Sequence, residues 1–166
     1  MPEKQTLERA KKDKRKGKSA STQAGEFVRE EMHHIREGKH GARSTRQAIA
    51  IGLSKARRVG VNLPPPEKGT VSERTRRNAK RAYQAGQTRK PRASRRRSRA
   101  TERALKRETR NAASRKALSR QARSAARRRT RTERSAAARR AARTKGRRGR
   151  SAAARKAART RTSRIG

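Results

Sequence analysis

The sequence has no cysteine and no tryptophan, and it has one phenylalanine and one tyrosine. The lack of cysteine excludes disulfides and thiolate chemistry. With so few aromatic rings, recognition of single-stranded nucleic acid by base stacking has little support. No run of 18 apolar residues exists, so we expect no transmembrane helix and no membrane partner. The N-terminus lacks the apolar stretch of a secretory signal, which predicts a cytoplasmic protein.

Acidic residues are also scarce, with 12 Asp and Glu against 54 Lys and Arg in 166 residues. The net charge of +42 is uneven: residues 1–70 hold 17 basic and 8 acidic residues, whereas residues 71–166 hold 37 and 4. A chain this cationic repels itself when compact, so we expect a polyanionic partner. We find no catalytic constellation and no glycine-rich phosphate loop, and we predict neither an enzyme nor a cofactor.

The best-specified helix lies at about residues 44–58. Ser44 is a good N-cap, Gln47 stands at the capping-box spacing, and Gly60 suits a left-handed C-cap. An amphipathic stripe predicts a second helix at about 22–37, and the two should form a helical hairpin within residues 19–63. The six predicted hairpin-core residues are Phe27, Val28, Met32, Ile35, Ile49 and Leu53.

The fold class that we predict is all-α, with a small hairpin head and a long basic tail. The flanking segments are a frayed basic arm at 1–18, a proline-rich linker at 64–70, a short helical segment at 71–90 and the low-complexity tail at 91–166. The hairpin has so few apolar residues that it should be only marginally stable by itself. We therefore expect a homodimer through the hairpin, or stabilisation by a ligand.

The tail is rich in Arg and Ala and contains an internal repeat. Residues 135–145 match residues 151–161 with a period of 16. Both residue types favour helices, but like charges three and four positions apart oppose them. We expect the tail to be disordered when free and helical on a polyanion.

The basic residues predict nonspecific, electrostatically driven DNA binding and compaction in the nucleoid, with duplex DNA favoured. Two alternatives stay open: an RNA- or ribosome-associated protein, and an interaction module that the tail only localises to nucleic acid. The candidate contact residues are Arg43, Arg46, Lys55, Arg57, Arg58, Arg95, Arg96, Arg97, Arg99, Arg127, Arg128, Arg129, Arg139, Arg140, Arg143, Arg147, Arg148, Arg155, Lys156 and Arg159.

Three histidines, His33, His34 and His40, lie near glutamates in the sequence. Glu30, His34 and Glu37 share a helix face, and such ligands could hold a metal. An ordinary polar face with charge pairs explains the same pattern. We favour that interpretation and predict no metal.

Two resemblances accompany these patterns. The segments T-Q-A-G-E-F-V-R-E-E at 22–31, G-K-H-G at 38–41 and R-Q-A-I-A-I-G-L-S-K-A-R at 46–57 resemble a small bacterial family with a domain of unknown function. That likeness covers about residues 20–63 and implies no activity. The tail resembles the basic tails of linker histones and bacterial histone-like proteins, which implies binding to nucleoid DNA.

Overall fold

The computed structural model describes residues 2–88 and 94–162, and in these ranges all regular structure is helical. The seven α-helices are α1 (Lys4–Arg15), α2 (Ala20–Arg36), α3 (Thr45–Arg58), α4 (Glu73–Gln87), α5 (Arg95–Lys106), α6 (Arg115–Arg127) and α7 (Arg131–Thr162). A 3₁₀ helix, Arg110–Ala113, lies between α5 and α6. The predicted all-α class is confirmed. The chain forms two compact units, an N-terminal unit (Met1–Gln121) and a C-terminal unit (Ala122–Gly166).

Helices α2 and α3 pack against each other, and side-chain caps begin both of them. Ser19 Oγ accepts from the Thr22 amide at 3.4 Å, and Ser44 Oγ accepts from the Gln47 amide at 3.2 Å. Gly60, two residues after the end of α3, has φ +88°. This left-handed conformation commonly terminates helices, and residues with a Cβ rarely adopt it.

Two apolar clusters surround α2. Met32 and Ile35 belong to one cluster, and Phe27 belongs to the other. These three predicted core residues are buried. The other three, Val28, Ile49 and Leu53, are only partly buried and pack against the margins of the clusters.

Helix α1 differs from the frayed arm that we expected at residues 1–18. It packs against α2, with Leu7 and Ala10 in the same cluster as Phe27. The Arg9 guanidinium lies 2.6 Å from the Glu26 carboxylate. A short helix is marginal alone, but α2 supplies the apolar face that the arm itself lacks.

Residues 105–118 also differ from the prediction, which placed them in the tail. Ala112 and Ala113 are buried in the cluster of Met32 and Ile35, and Leu118 packs against it. The structure thus places residues 94–121 within the N-terminal unit. The physical reason is that a 3₁₀ turn of small residues fits closely against α2 and α3.

The hairpin is therefore covered by its own chain. Helix α1 packs on α2, α4 packs on α3, and the 3₁₀ helix packs on both α2 and α3. This cover removes the reason for which we predicted a dimer, because no second copy is needed to bury the hairpin. The homodimer itself stays a prediction.

The C-terminal unit is helical, so the predicted disorder of the free tail is not borne out for its described residues. Helix α7 contains one non-helical residue, Gly146, with φ 63° and ψ 177°. This break separates the two copies of the 16-residue repeat into two helical segments. High Ala and Arg helix propensity accounts for the helices, although no described residue of this unit is buried.

Candidate nucleic-acid interface

The C-terminal unit carries the densest charge of the chain. Its 45 residues include 18 basic residues and one acidic residue, a net charge of +17. The predicted contact residues of this unit whose side chains are described are all exposed, namely Arg127, Arg128, Arg129, Arg139, Arg140, Arg143, Arg147, Arg155, Lys156 and Arg159. The side chain of Arg148 lies outside the described part of the structure.

Each repeat of α7 places three cations close together on the helix surface. At about 100° per residue, Arg139, Arg140 and Arg143 fall within an arc of about 100°. Because the repeat period is preserved, Arg155, Lys156 and Arg159 occupy the same positions in the second segment. Each segment therefore presents a compact row of cations that one phosphate backbone could follow.

The start of α7 has a capping box that our sequence analysis missed. The Thr130 amide donates to Glu133 Oε2 at 2.7 Å, and the Glu133 amide donates to Thr130 Oγ1 at 3.2 Å. The Thr130 amide and hydroxyl lower the pKa of the Glu133 carboxyl below its ordinary value. The signal was present as T-x-x-E, the spacing used for Ser44 and Gln47.

Helix α5 carries four of the predicted contact residues, and it belongs to the N-terminal unit. Arg96 and Arg99 are exposed, as a phosphate contact requires. The side chains of Arg95 and Arg97 lie outside the described part of the structure.

On α3 and the residues before it, three of the five predicted basic residues are exposed: Arg43, Arg46 and Arg58. Arg46 Nε donates to Gln121 Oε1 at 3.2 Å, which links α3 to α6. Lys55 and Arg57 have structural partners instead, so the structure does not offer them as free phosphate contacts.

Arg57 is 7% exposed and ties the chain after α3 back onto that helix. Its Nε donates to the Leu63 carbonyl at 3.1 Å, and its Nη2 donates to the Pro64 carbonyl at 3.3 Å. Burial lowers the pKa of the Arg57 guanidinium below its ordinary value. Sequence reasoning could not separate Arg57 from Arg58, because the two adjacent residues differ only in which side of α3 they occupy.

Lys55 lies between two buried glutamates of α2. Its Nζ is 3.4 Å from Glu30 Oε1 and 2.7 Å from Glu31 Oε2. Both carboxylates are almost fully buried, with Glu30 3% and Glu31 0% exposed. The sequence favoured an ordinary polar face with charge pairs here; the structure has charge pairs, and it buries both glutamates.

The structure also changes which residues could form a metal site. Three side chains lie close enough together to share an ion: Glu31, His34 and His40, whose potential ligand atoms all lie within 4.8 Å of one another. The sequence grouped His34 with Glu30 and Glu37. His40 was noted near the glutamates in the sequence, but helical spacing could not place it beside Glu31, because the loop between α2 and α3 brings this residue back to α2.

Neither aromatic side chain is available as a stacking platform. Phe27 is fully buried, and the half-buried Tyr83 donates its hydroxyl proton to Asn62 Oδ1 at 2.7 Å. Among residues 2–88 and 94–162, no helix combines the length and the apolar character that a membrane span requires.

Only part of the chain matches a known protein family. Residues 4–68 match a family of unknown function (DUF6496), which covers 65 of the 166 residues and contains α1, α2 and α3. No curated protein matches the chain. No solved structure matches it either. The likeness of the tail to histone tails thus rests on composition alone.

Proposed function

We propose that the protein binds duplex DNA nonspecifically through its basic C-terminal helices and compacts it in the nucleoid. One observation carries this proposal: the C-terminal unit has a net charge of +17 and no buried residue in its described part. Its helices have no core to stabilise them and must overcome repulsion between like charges. Phosphates would neutralise those charges and release condensed counterions, which stabilises the complex.

The helical form of the C-terminal unit favours duplex DNA over duplex RNA. An α-helix with its side chains is about 10–12 Å wide, close to the ~12 Å width of the B-DNA major groove. The major groove of A-form RNA is too narrow and deep for side chains to read. Single strands are disfavoured because neither Phe27 nor Tyr83 is free to stack on bases.

The composition of the C-terminal unit supports binding without sequence preference. Residues 122–166 contain no Asn and no Gln, the side chains that pair with adenine in the major groove. Their cations recur at the repeat period of 16, which suits contact with a regular backbone. Compaction would follow where separate helical segments contact separate stretches of DNA.

The proposal is tested by measuring binding of the full chain to a labelled DNA duplex over a range of salt concentrations. We expect a steep log–log slope, about −9 if ten phosphates are neutralised. Replacing Arg139, Arg140 and Arg143 by Gln should make the slope less negative by about 3 and lower the affinity for unrelated duplex sequences equally.

A matched control removes three charges from α1 by replacing the exposed residues Lys11, Lys12 and Lys14 with Gln. We expect the control to change the salt slope less than the α7 variant does. Equal effects of both variants would contradict the assignment of binding to the C-terminal unit. A duplex RNA of the same length, bound more tightly at every salt concentration, would overturn the DNA proposal in favour of an RNA-associated role.

A further inference from the structure

Glu31 is an unusual carboxylate for this chain, which has only 12 acidic residues. The side chain is fully buried on α2. Neither of its oxygens accepts a hydrogen bond from the described residues; Oε2 lies 2.7 Å from the Lys55 ammonium, and no ammonium or guanidinium is paired with Oε1 among these residues. A buried carboxylate oxygen without a partner is costly, so a second cationic partner at Oε1 would stabilise the fold.

The atom that faces Oε1 of Glu31 is Nε2 of His40, at 3.4 Å. The other ring nitrogen of His40, Nδ1, lies 3.0 Å from the Gly41 carbonyl oxygen. A carbonyl can only accept, so Nδ1 carries a proton, and the neutral ring has its lone pair on Nε2. Two acceptor atoms then face each other, and a cation between them would satisfy both.

The distance of 3.4 Å between His40 Nε2 and Glu31 Oε1 fits a shared metal ion better than a strong hydrogen bond. Charge-assisted N–H···O bonds are usually about 2.7–2.9 Å long. Two ligands bound at about 2.0–2.1 Å to a tetrahedral Zn²⁺ lie about 3.3 Å apart.

His34 supplies the third ligand. Its ring stands edge-on to that of His40, with the ring centres 6.0 Å apart. Its Nε2 lies 2.8 Å from Glu3 Oε1, so a second carboxylate orients the ring. Carboxylates in this position commonly fix the orientation and basicity of metal-binding histidines.

We propose that Glu31, His34 and His40 bind one divalent transition-metal ion of the Zn²⁺ type. Two imidazoles and one carboxylate are ligands that suit Zn²⁺. Lys55 compensates the second oxygen of Glu31, and the bound ion would fasten the loop that carries His40 to α2. All three ligands belong to the N-terminal unit, so the proposed site does not depend on the proposed DNA binding by the C-terminal unit.

The experiment uses the full chain, freed of metal with a chelator and free of nucleic acid, and titrates it with Zn²⁺ alone by calorimetry. We expect saturation at one ion per chain. His34→Gln and His40→Gln should each weaken binding at least about tenfold. The matched control is His33→Gln, which changes the exposed neighbour of His34 and should leave the affinity unchanged.

A second measurement does not depend on how the variants fold. Paramagnetic Co²⁺ added to the wild-type chain should shift or broaden the NMR signals of the His34 and His40 rings much more strongly than those of the His33 ring. No saturable binding at one ion per chain would overturn the proposal. Equal paramagnetic effects on all three histidines would overturn it as well.

Discussion

The Thr45 hydroxyl donates to the carbonyl oxygen of Ala112 at 2.7 Å, joining the first turn of α3 to a segment 67 residues further along the chain. Both residues are buried. The same contact region includes the Gly41 amide, which donates to the Leu105 carbonyl at 2.9 Å. These bonds make residues 105–113 part of the N-terminal unit rather than of a free tail.

Replacing Thr45 by Val should destabilise the N-terminal unit by about 1–3 kcal/mol, because the buried Ala112 carbonyl would lose its hydroxyl donor. Thr45→Ser keeps the hydroxyl and should cost less. Urea unfolding followed by the fluorescence of Tyr83, the sole tyrosine, measures both variants. Equal stability of Thr45→Val and the wild type would show that residues 105–113 are not docked in solution.

Gly52 of α3 lies close to the backbone of α2. A Cβ at this position would lie 2.7 Å from the Cα of Val28, whereas a Cβ at Gly25 meets nothing within 4 Å. Both glycines lie within helices, so alanine should favour each helix by up to about 1 kcal/mol. Gly25→Ala should therefore stabilise the protein, and Gly52→Ala should destabilise it by about 1–3 kcal/mol because of overpacking. Two stabilising substitutions would contradict this helix packing.

Substitutions at Arg57 and Arg58 should affect stability differently, because Arg57 is buried and Arg58 is exposed. Arg57→Gln removes the donors to the Leu63 and Pro64 carbonyls and should lower the free energy of unfolding by about 1–3 kcal/mol. Arg58→Gln, at an exposed position, should stay within about 0.5 kcal/mol of the wild type. Thermal and urea unfolding test the pair, and an equal loss in both variants would argue against the burial of Arg57.

Protonation of Glu133 should disrupt the capping box of α7. Its hydrogen bonds to Thr130 lower the pKa of Glu133, so the cap contribution is present above the ordinary glutamate pKa. This contribution to stability is lost as the pH falls through the lowered pKa of Glu133 in the folded protein. NMR titration of the Glu133 carboxyl should show the depressed pKa, and Thr130→Val should raise it. Thr162→Val, at the other end of α7, is the control and should leave it unchanged.

The sequence predicted local features well because their causes are local. Ser44 with Gln47 began a helix, Gly60 ended one, and the 16-residue repeat corresponds to the two segments of α7. Charge and composition were likewise readable without a structure. The disorder expected for the tail was not borne out, since repulsion between charges was given more weight than the helix propensity of Ala and Arg.

Only the tertiary structure decided which alanines and which cations belong to the folded unit. Ala112 and Ala113 look like the alanines of α7 in sequence, yet they are buried against α2 and α3. Lys55 and Arg57 look like phosphate contacts, yet they hold Glu31 and the chain after α3. The physical reason is that these roles depend on backbone carbonyls and distant side chains, which no local pattern reveals.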